Sequence, residues 1–379
     1  MRRFFQIAAL GVVGLGCAPA ISSFGFEIPR LEFSPRRYLC PRTDGPISVD
    51  GSLQEKAWEA AAWTEDFVDI EGPRKGAPAH ATAVRMLWDD DYFYVSAQLK
   101  EPHVWATLTA RDAVIYHDND FEVFIDPDGD NHLYYELEIN ALGTEWDLML
   151  IRPYRDGGPA INAWDIQGLQ TAVHVSGTLN DPGDVDEGWS VEIAFPWEVL
   201  AQAAGRPAPP APGDIWRVNF SRVQWKTQPR DGFYEKVTDP ETGDPLPEYN
   251  WVWSPQGLIA MHYPEMWGEV LFVADGDQDF DTSAEHEAIM AAASLMPVYY
   301  LQKQWREDHG RFASSLQELG IDSISLPVWN PASSAALNRP LPPRWTLSLE
   351  SCGEGFTAHL DTPHGTATVD QDGRLERTP

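Results

Sequence analysis

The sequence predicts a mainly β protein: an antiparallel, jelly-roll-like β-sandwich followed by a small α+β domain. Three observations carry this. Between residues 43 and 274, apolar and polar residues alternate in short runs separated by Asp, Gly and Pro, the mark of half-buried strands in a sandwich. After residue 283 the apolar period becomes helical, and alternation then returns in short runs. The chain has 379 residues, 43% of them hydrophobic, with 16 Trp, so it can build packed cores despite a formal charge of −31. That acidity argues against a nucleic-acid partner or an anionic membrane surface. Neutral ligands and divalent cations remain compatible with it.

Arg2 and Arg3 precede an apolar run from Phe4 to Leu15 and then small residues. This reads as a signal peptide over 1–20, too short for an integral membrane span. Ala18-Pro19-Ala20 suits signal-peptidase cleavage, Gly16-Cys17 suits lipid anchoring through Cys17, and Arg2-Arg3-Phe4-Phe5 has a twin-arginine look. The expectation is an exported protein, periplasmic, extracellular or lipid-anchored. In an oxidising compartment Cys40 and Cys352 can bond; two free thiols are the alternative. Residues 21–42 read as a tether.

The strands follow in order. Phe93, Val95, Ala97 and Leu99 share one face of the run 92–99. Phe121, Val123 and Ile125 alternate with Glu122, Phe124 and Asp126; Tyr135, Leu137 and Ile139 alternate with Tyr134, Glu136, Glu138 and Asn140. Trp189, Val191, Ile193 and Phe195 point one way, and Trp216, Val218 and Phe220 oppose Arg217, Asn219 and Ser221. Short helices are expected at 54–62 and 197–203. Segments 206–212 and 227–249 lack periodicity and read as surface loops. Residues 275–283 read as an acidic linker. Residues 284–379 form the α+β unit, with a helix over 284–307.

Candidate functional residues lie on the polar faces and in the loops. Glu136, Glu138 and Asn140 share a face, Arg217, Asn219 and Ser221 share another, and Glu122 can join them. Such a face is either a ligand platform or a solvated sheet surface with an Arg217–Glu138 charge ladder. Trp88, Trp189, Trp216 and Trp267 sit among apolar neighbours and read as core; Tyr116, Trp251 and Trp253 lie at strand ends or loops, where aromatic platforms occur. Asp126, Asp128 and Asp130 present hard oxygens at alternate positions, suited either to calcium or to capping of their own turn. Glu122, Glu136, Glu138 and Glu192 are candidates for a hydrolytic carboxylate pair, but no nucleophile elbow, zinc helix or phosphate loop accompanies them.

Several phrases occur together in order: Val49-Asp50-Gly51, Leu87-Trp88-Asp89-Asp90-Asp91-Tyr92, Asp120–Pro127, Tyr134–Asn140, Gly188–Trp197, Arg217–Arg222 and Pro264–Val270. This set resembles the family 9 carbohydrate-binding modules over residues 43–274. The resemblance implies a sugar-binding sandwich with structural calcium, in which two Trp clamp a terminal sugar and a Glu, an Arg and an Asn read its hydroxyls. The Glu falls on Glu122 and one aromatic near Tyr116. The Arg-x-Asn pair falls on Glu138 and Asn140, so the Arg is replaced by an acid. The second Trp falls near Met261 or His262; Trp251, Trp253 and Trp267 are nearby substitutes.

The resulting expectation is a non-catalytic carbohydrate-binding protein that uses Tyr116, Glu122, Glu138, Asn140, Arg217, Asn219, Trp251 and Trp253, with calcium at Asp126, Asp128 and Asp130. An envelope assembly protein that keeps only the sandwich, and a glycoside hydrolase or hydrolase accessory, are the alternatives. The helix and turn at 299–320 faintly resemble the globular part of type IV pilin-like proteins, which would suit an envelope protein partner bound through the C-terminal domain.

Overall fold

The computed structural model describes residues 27–274, 283–329 and 336–378. The leader, the start of the expected tether and nearly all of the acidic linker lie outside the described residues. No helix among the described residues is long and apolar enough to cross a membrane.

Two sheets face each other. The larger is nine-stranded. Its main strands are β1 (Arg37–Pro41), β4 (Asp120–Asp126), β5 (Tyr134–Asn140), β6 (Glu145–Leu150), β9 (Ile215–Gln224), β10 (Tyr249–Val252) and β11 (Gly268–Val273). Their order is β1-β11-β9-β4-β5-β6, with β10 pairing the far end of β9. The smaller sheet has the order β2-β3-β8-β7, from β2 (Thr82–Trp88), β3 (Tyr92–Lys100), β7 (Gln170–Ser176) and β8 (Gly188–Pro196). All these pairs are antiparallel except β1 with β11, which run parallel. Part of the expected tether is therefore a sheet strand: Tyr38 and Cys40 of β1 face the core, and Leu39 is exposed.

The alternation read from sequence decides what lies between the sheets. Phe121, Val123, Ile125, Leu137, Ile139, Trp216, Val218 and Phe220 meet Phe93, Val95, Leu99, Trp189 and Ile193 in one buried core. Trp88, Trp197 and Trp216 pack edge-on against Phe272, at ring separations of 5.5–5.9 Å. Cys40 is a buried free thiol in this core and Cys352 an exposed one, so the alternative of unbonded cysteines is the one the structure shows.

The outer faces are also covered, which alternation alone does not require. On the smaller sheet, Ile47, Val49 and Trp58 lie on Leu87, Tyr94 and Ala194. There Glu192 accepts hydrogen bonds from the Asp50 and Gly51 amides and from Trp58 Nε1 at 2.7–2.9 Å. Its carboxylate anchors this covering segment. On the larger sheet, Phe124, Tyr134, Leu148, Leu150 and Trp267 form a second apolar cluster with Met261 and Val252.

The C-terminal residues build a separate core. Helices α1 (Ser283–Ser294) and α2 (Met296–His309) pack on the sheet β12 (Thr346–Ser351), β13 (Phe356–Thr362), β14 (Gly365–Asp370) and β15 (Leu375–Thr378). One helix was expected here. Pro297 lacks the amide that would continue the ladder, so the chain restarts with Pro in the first turn of α2. Gly310 ends α2 at φ 70°. The turn before β15 and β15 itself dock on the sandwich: Arg374 pairs with Asp130 at 2.8 Å, and Arg377 donates to the Asp128 carbonyl at 2.7 Å.

Candidate functional site

The outer face of the larger sheet carries a polar patch that strand register assembles. Ser221, Glu122, Glu138 and Trp146 lie in one row across β9, β4, β5 and β6. Glu136 is on the adjacent row beside Phe124, and Asp120 is opposite Asn140. Asp120, Glu122, Glu136 and Glu138 are all buried. Carboxylates directly opposite on neighbouring strands repel. Burial, with Glu248 nearby, pushes Glu122 up to about 7, and burial with repulsion from Glu122 holds Asp120, Glu136 and Glu138 well above the usual carboxylate range.

Two tyrosines border the patch. Tyr116 is in a single turn before β4, is 39% exposed, and donates its backbone amide to Glu138 Oε2 at 2.9 Å. Trp225 Nε1 holds the Tyr116 carbonyl at 2.8 Å. Tyr154, 50% exposed, comes from the loop after β6. Glu136, Glu138 and Tyr116 lie near enough to raise its hydroxyl pKa beyond what burial does, to about 12. His262 packs edge-on against Tyr154 at 4.5 Å, shares a hydrogen bond with Tyr134, and places Nε2 4.0 Å from Glu136. Burial and the nearby Arg155 depress His262 to about 3, so the ring is neutral and contributes no positive charge.

The structure thus brings Tyr116, Glu122 and Glu138 together and separates the other expected residues from them. Asn140 borders the patch, but its amide is fully used. It donates to the Leu108 carbonyl and to Asp118, and accepts from the Leu142 and Thr144 amides, all at 2.9–3.1 Å. It is a clamp between two loops with nothing left for a ligand. Arg217 lies near Asp126 and donates to Asn131 at 3.1 Å, so no charge ladder with Glu138 forms. Asn219 exchanges two hydrogen bonds with the Ser254 backbone. Trp253 is buried against Phe220, and Gly268 leaves the space its ring occupies. Trp251 is buried beside Tyr249 and over Arg222. Neither indole has a face free for stacking. The loop expected at 227–249 contains a hairpin, Thr227–Arg230 with Phe233–Lys236, whose Tyr234 is tied to His103.

Sequence reasoning missed Tyr154, and it placed Glu136 on a possible ligand face and named His262 only as a neighbour of a lost ring without counting either among the expected binding residues. The signal for Tyr154 was an aromatic in a Pro- and Gly-rich loop, Arg152-Pro153-Tyr154-Arg155-Asp156-Gly157-Gly158-Pro159. His262 occupies the position where the resemblance places the second clamp ring.

Asp126, Asp128 and Asp130 each direct one oxygen to within 4.8 Å of the others. The Asp126 carboxylate also accepts the Gly129 and Asn131 amides at 3.0 Å, which is the turn-capping role. Burial, with Asp130 nearby, pushes Asp128 up to about 6, and burial with Asp128 and Asp130 nearby holds Asp126 well above the usual carboxylate range. Arg374 pairs with Asp130 and partly offsets Asp128, and Arg217 partly offsets Asp126, without reversing the upward push on either of those two. Converging hard oxygens with residual repulsion fit a divalent cation.

A two-sheet sandwich whose outer face joins carboxylates to exposed aromatic rings is the architecture of a binding domain. The chain belongs to the carbohydrate family 9 binding domain-like family, whose model matches residues 49–270. A structure from Bacteroides uniformis ATCC 8492, described provisionally as a carbohydrate-binding protein, is 17% identical, with 63% of this chain and 100% of that one covered and a TM-score of 0.46. Two structures of a carbohydrate-binding module family 9 from Caldicellulosiruptor kristjanssonii, one with cellotriose and one with glucose, are 14% and 15% identical. They cover 65% and 64% of this chain and 97% and 98% of their own, with TM-scores of 0.40 and 0.41. No curated protein matches the chain.

Proposed function

We propose that this protein is a non-catalytic, exported carbohydrate-binding protein that takes the end of a poly- or oligosaccharide at the patch between Tyr116 and Tyr154. The observation that carries the reading is the pairing of two exposed phenol rings with a set of converging carboxylates, in a sandwich of this family. A sugar presents C–H faces that stack on rings and hydroxyls that donate to carboxylates. Glu122, Glu136 and Glu138 accept; Tyr116 and Tyr154 stack. Export rests on the leader motif of residues 1–20. Calcium at Asp126, Asp128 and Asp130 is part of the same proposal and would stiffen the turn on which the C-terminal unit docks.

Titration calorimetry of the whole protein against mono- and oligosaccharides tests this. Binding at millimolar affinity or better is expected, at least about −4 kcal/mol. Tyr116→Ala and Tyr154→Ala should each weaken it about 5- to 30-fold, since a stacked ring contributes roughly 1–2 kcal/mol. Undiminished affinity in both variants would place the sugar elsewhere.

A further inference from the structure

The patch holds four buried carboxyl groups, and no Lys or Arg among the described residues forms an ion pair with any of them. His262, the nearest basic ring, is neutral. Asp120, Glu122 and Glu138 each offer an oxygen within 4.8 Å of the others. Four polar atoms in the patch have no hydrogen-bond partner: Glu136 Oε2, Asp120 Oδ2, Trp146 Nε1 and Ser221 Oγ. Buried polar groups are normally satisfied, and an unpaired buried carboxylate carries the full cost of its desolvation. A neutral sugar supplies hydroxyl donors but no charge. An ammonium group supplies both. With N···O contacts of about 2.8 Å, a tetrahedral ammonium reaches oxygens up to about 4.6 Å apart, so one ammonium can contact several oxygens that converge this closely. The bordering Tyr116 and Tyr154 rings suit the ring body of the same ligand, and their faces attract cations.

We propose that this site selects a sugar bearing a free amine, a glucosamine-type residue, with its ammonium among Asp120, Glu122 and Glu138 and its ring against the tyrosines. This rests on the carbohydrate-binding reading and names the ligand class. Glu136 borders the amine and completes its acceptors.

The test is calorimetry of the full chain, stripped of metal with EDTA, against glucosamine, N-acetylglucosamine and glucose oligomers of equal length. The glucosamine oligomer should bind at least tenfold tighter than either neutral one. In Glu138→Gln and, separately, Glu136→Gln, that ratio should fall tenfold or more; melting curves establish that each variant is folded, and either one suffices. Neutral oligomers binding as tightly as glucosamine would overturn the amine proposal and leave carbohydrate binding standing. A preference that persists in both variants would trace it to the net charge of the chain and also overturn it. Heat from calcium or magnesium ions alone that vanishes in Glu138→Gln would make the cluster a metal site instead. No binding by any of the three sugars would overturn the carbohydrate reading itself.

Discussion

Replacing Glu122 by Gln should stabilise the protein at alkaline pH and leave it unchanged in acid. The carboxyl group has an ordinary value of 4.5, and burial holds it at about 7 in the fold. Between those values the unfolded chain has released a proton that the folded chain still binds, so stability falls as pH rises through this window. Below 4.5 the penalty is absent; above 7 it is complete. At 1.36 kcal/mol per pH unit the ceiling is ~3 kcal/mol. Glu138 directly opposite shares the cost, so we expect a gain of about 1–3 kcal/mol at pH 8. Gln is isosteric, keeps an acceptor oxygen and cannot ionise. Urea unfolding followed by Trp fluorescence, with parent and variant at pH 4.5 and pH 8, measures the difference directly. A variant less stable than the parent at pH 8 would refute the reasoning, because it would mean that the folded protein already neutralises this carboxylate.

Asn140→Ala should cost about 2–4 kcal/mol, since it removes all four hydrogen bonds of a buried clamp and strands the Leu142 and Thr144 amides; a thermal melt reads this. Gly268→Ala should cost about 1–3 kcal/mol by overpacking, because the new Cβ would lie 2.3 Å from the Trp253 ring; chemical denaturation checks it. Calcium should raise the melting temperature and a chelator lower it, and Asp128→Asn should abolish the response.

The strands and the main core were legible because side-chain direction in a strand is a local property. Phe121, Val123 and Ile125 face the core wherever the strand sits, and Trp88, Trp189 and Trp216 are buried among them as their neighbours suggest. The half of the site contributed by β4 and β5 was legible for the same reason, since Glu122 and Glu138 alternate with those core residues. What sequence left open was whether the opposite face meets water. The covering segments come from distant parts of the chain, and they bury the acids of both sheets. Asn140, Arg217 and Asn219 look equally suited to ligand contact as a string of residues. Tertiary structure ties each to a partner on another loop or strand, and both amide hydrogens of Asn140 are already used. Trp251 and Trp253 read as rings at strand ends or in loops until β10 pairs with β9 and the Trp253 amide just beyond it bonds the Phe220 carbonyl, which carries both into the core. Sequence by itself determined the fold class and the core faces, because both follow from periodicity along the chain. Tertiary structure alone decided which polar groups remain unpaired and that Tyr154 joins Tyr116 beside them, because pairing depends on segments that sequence distance does not relate.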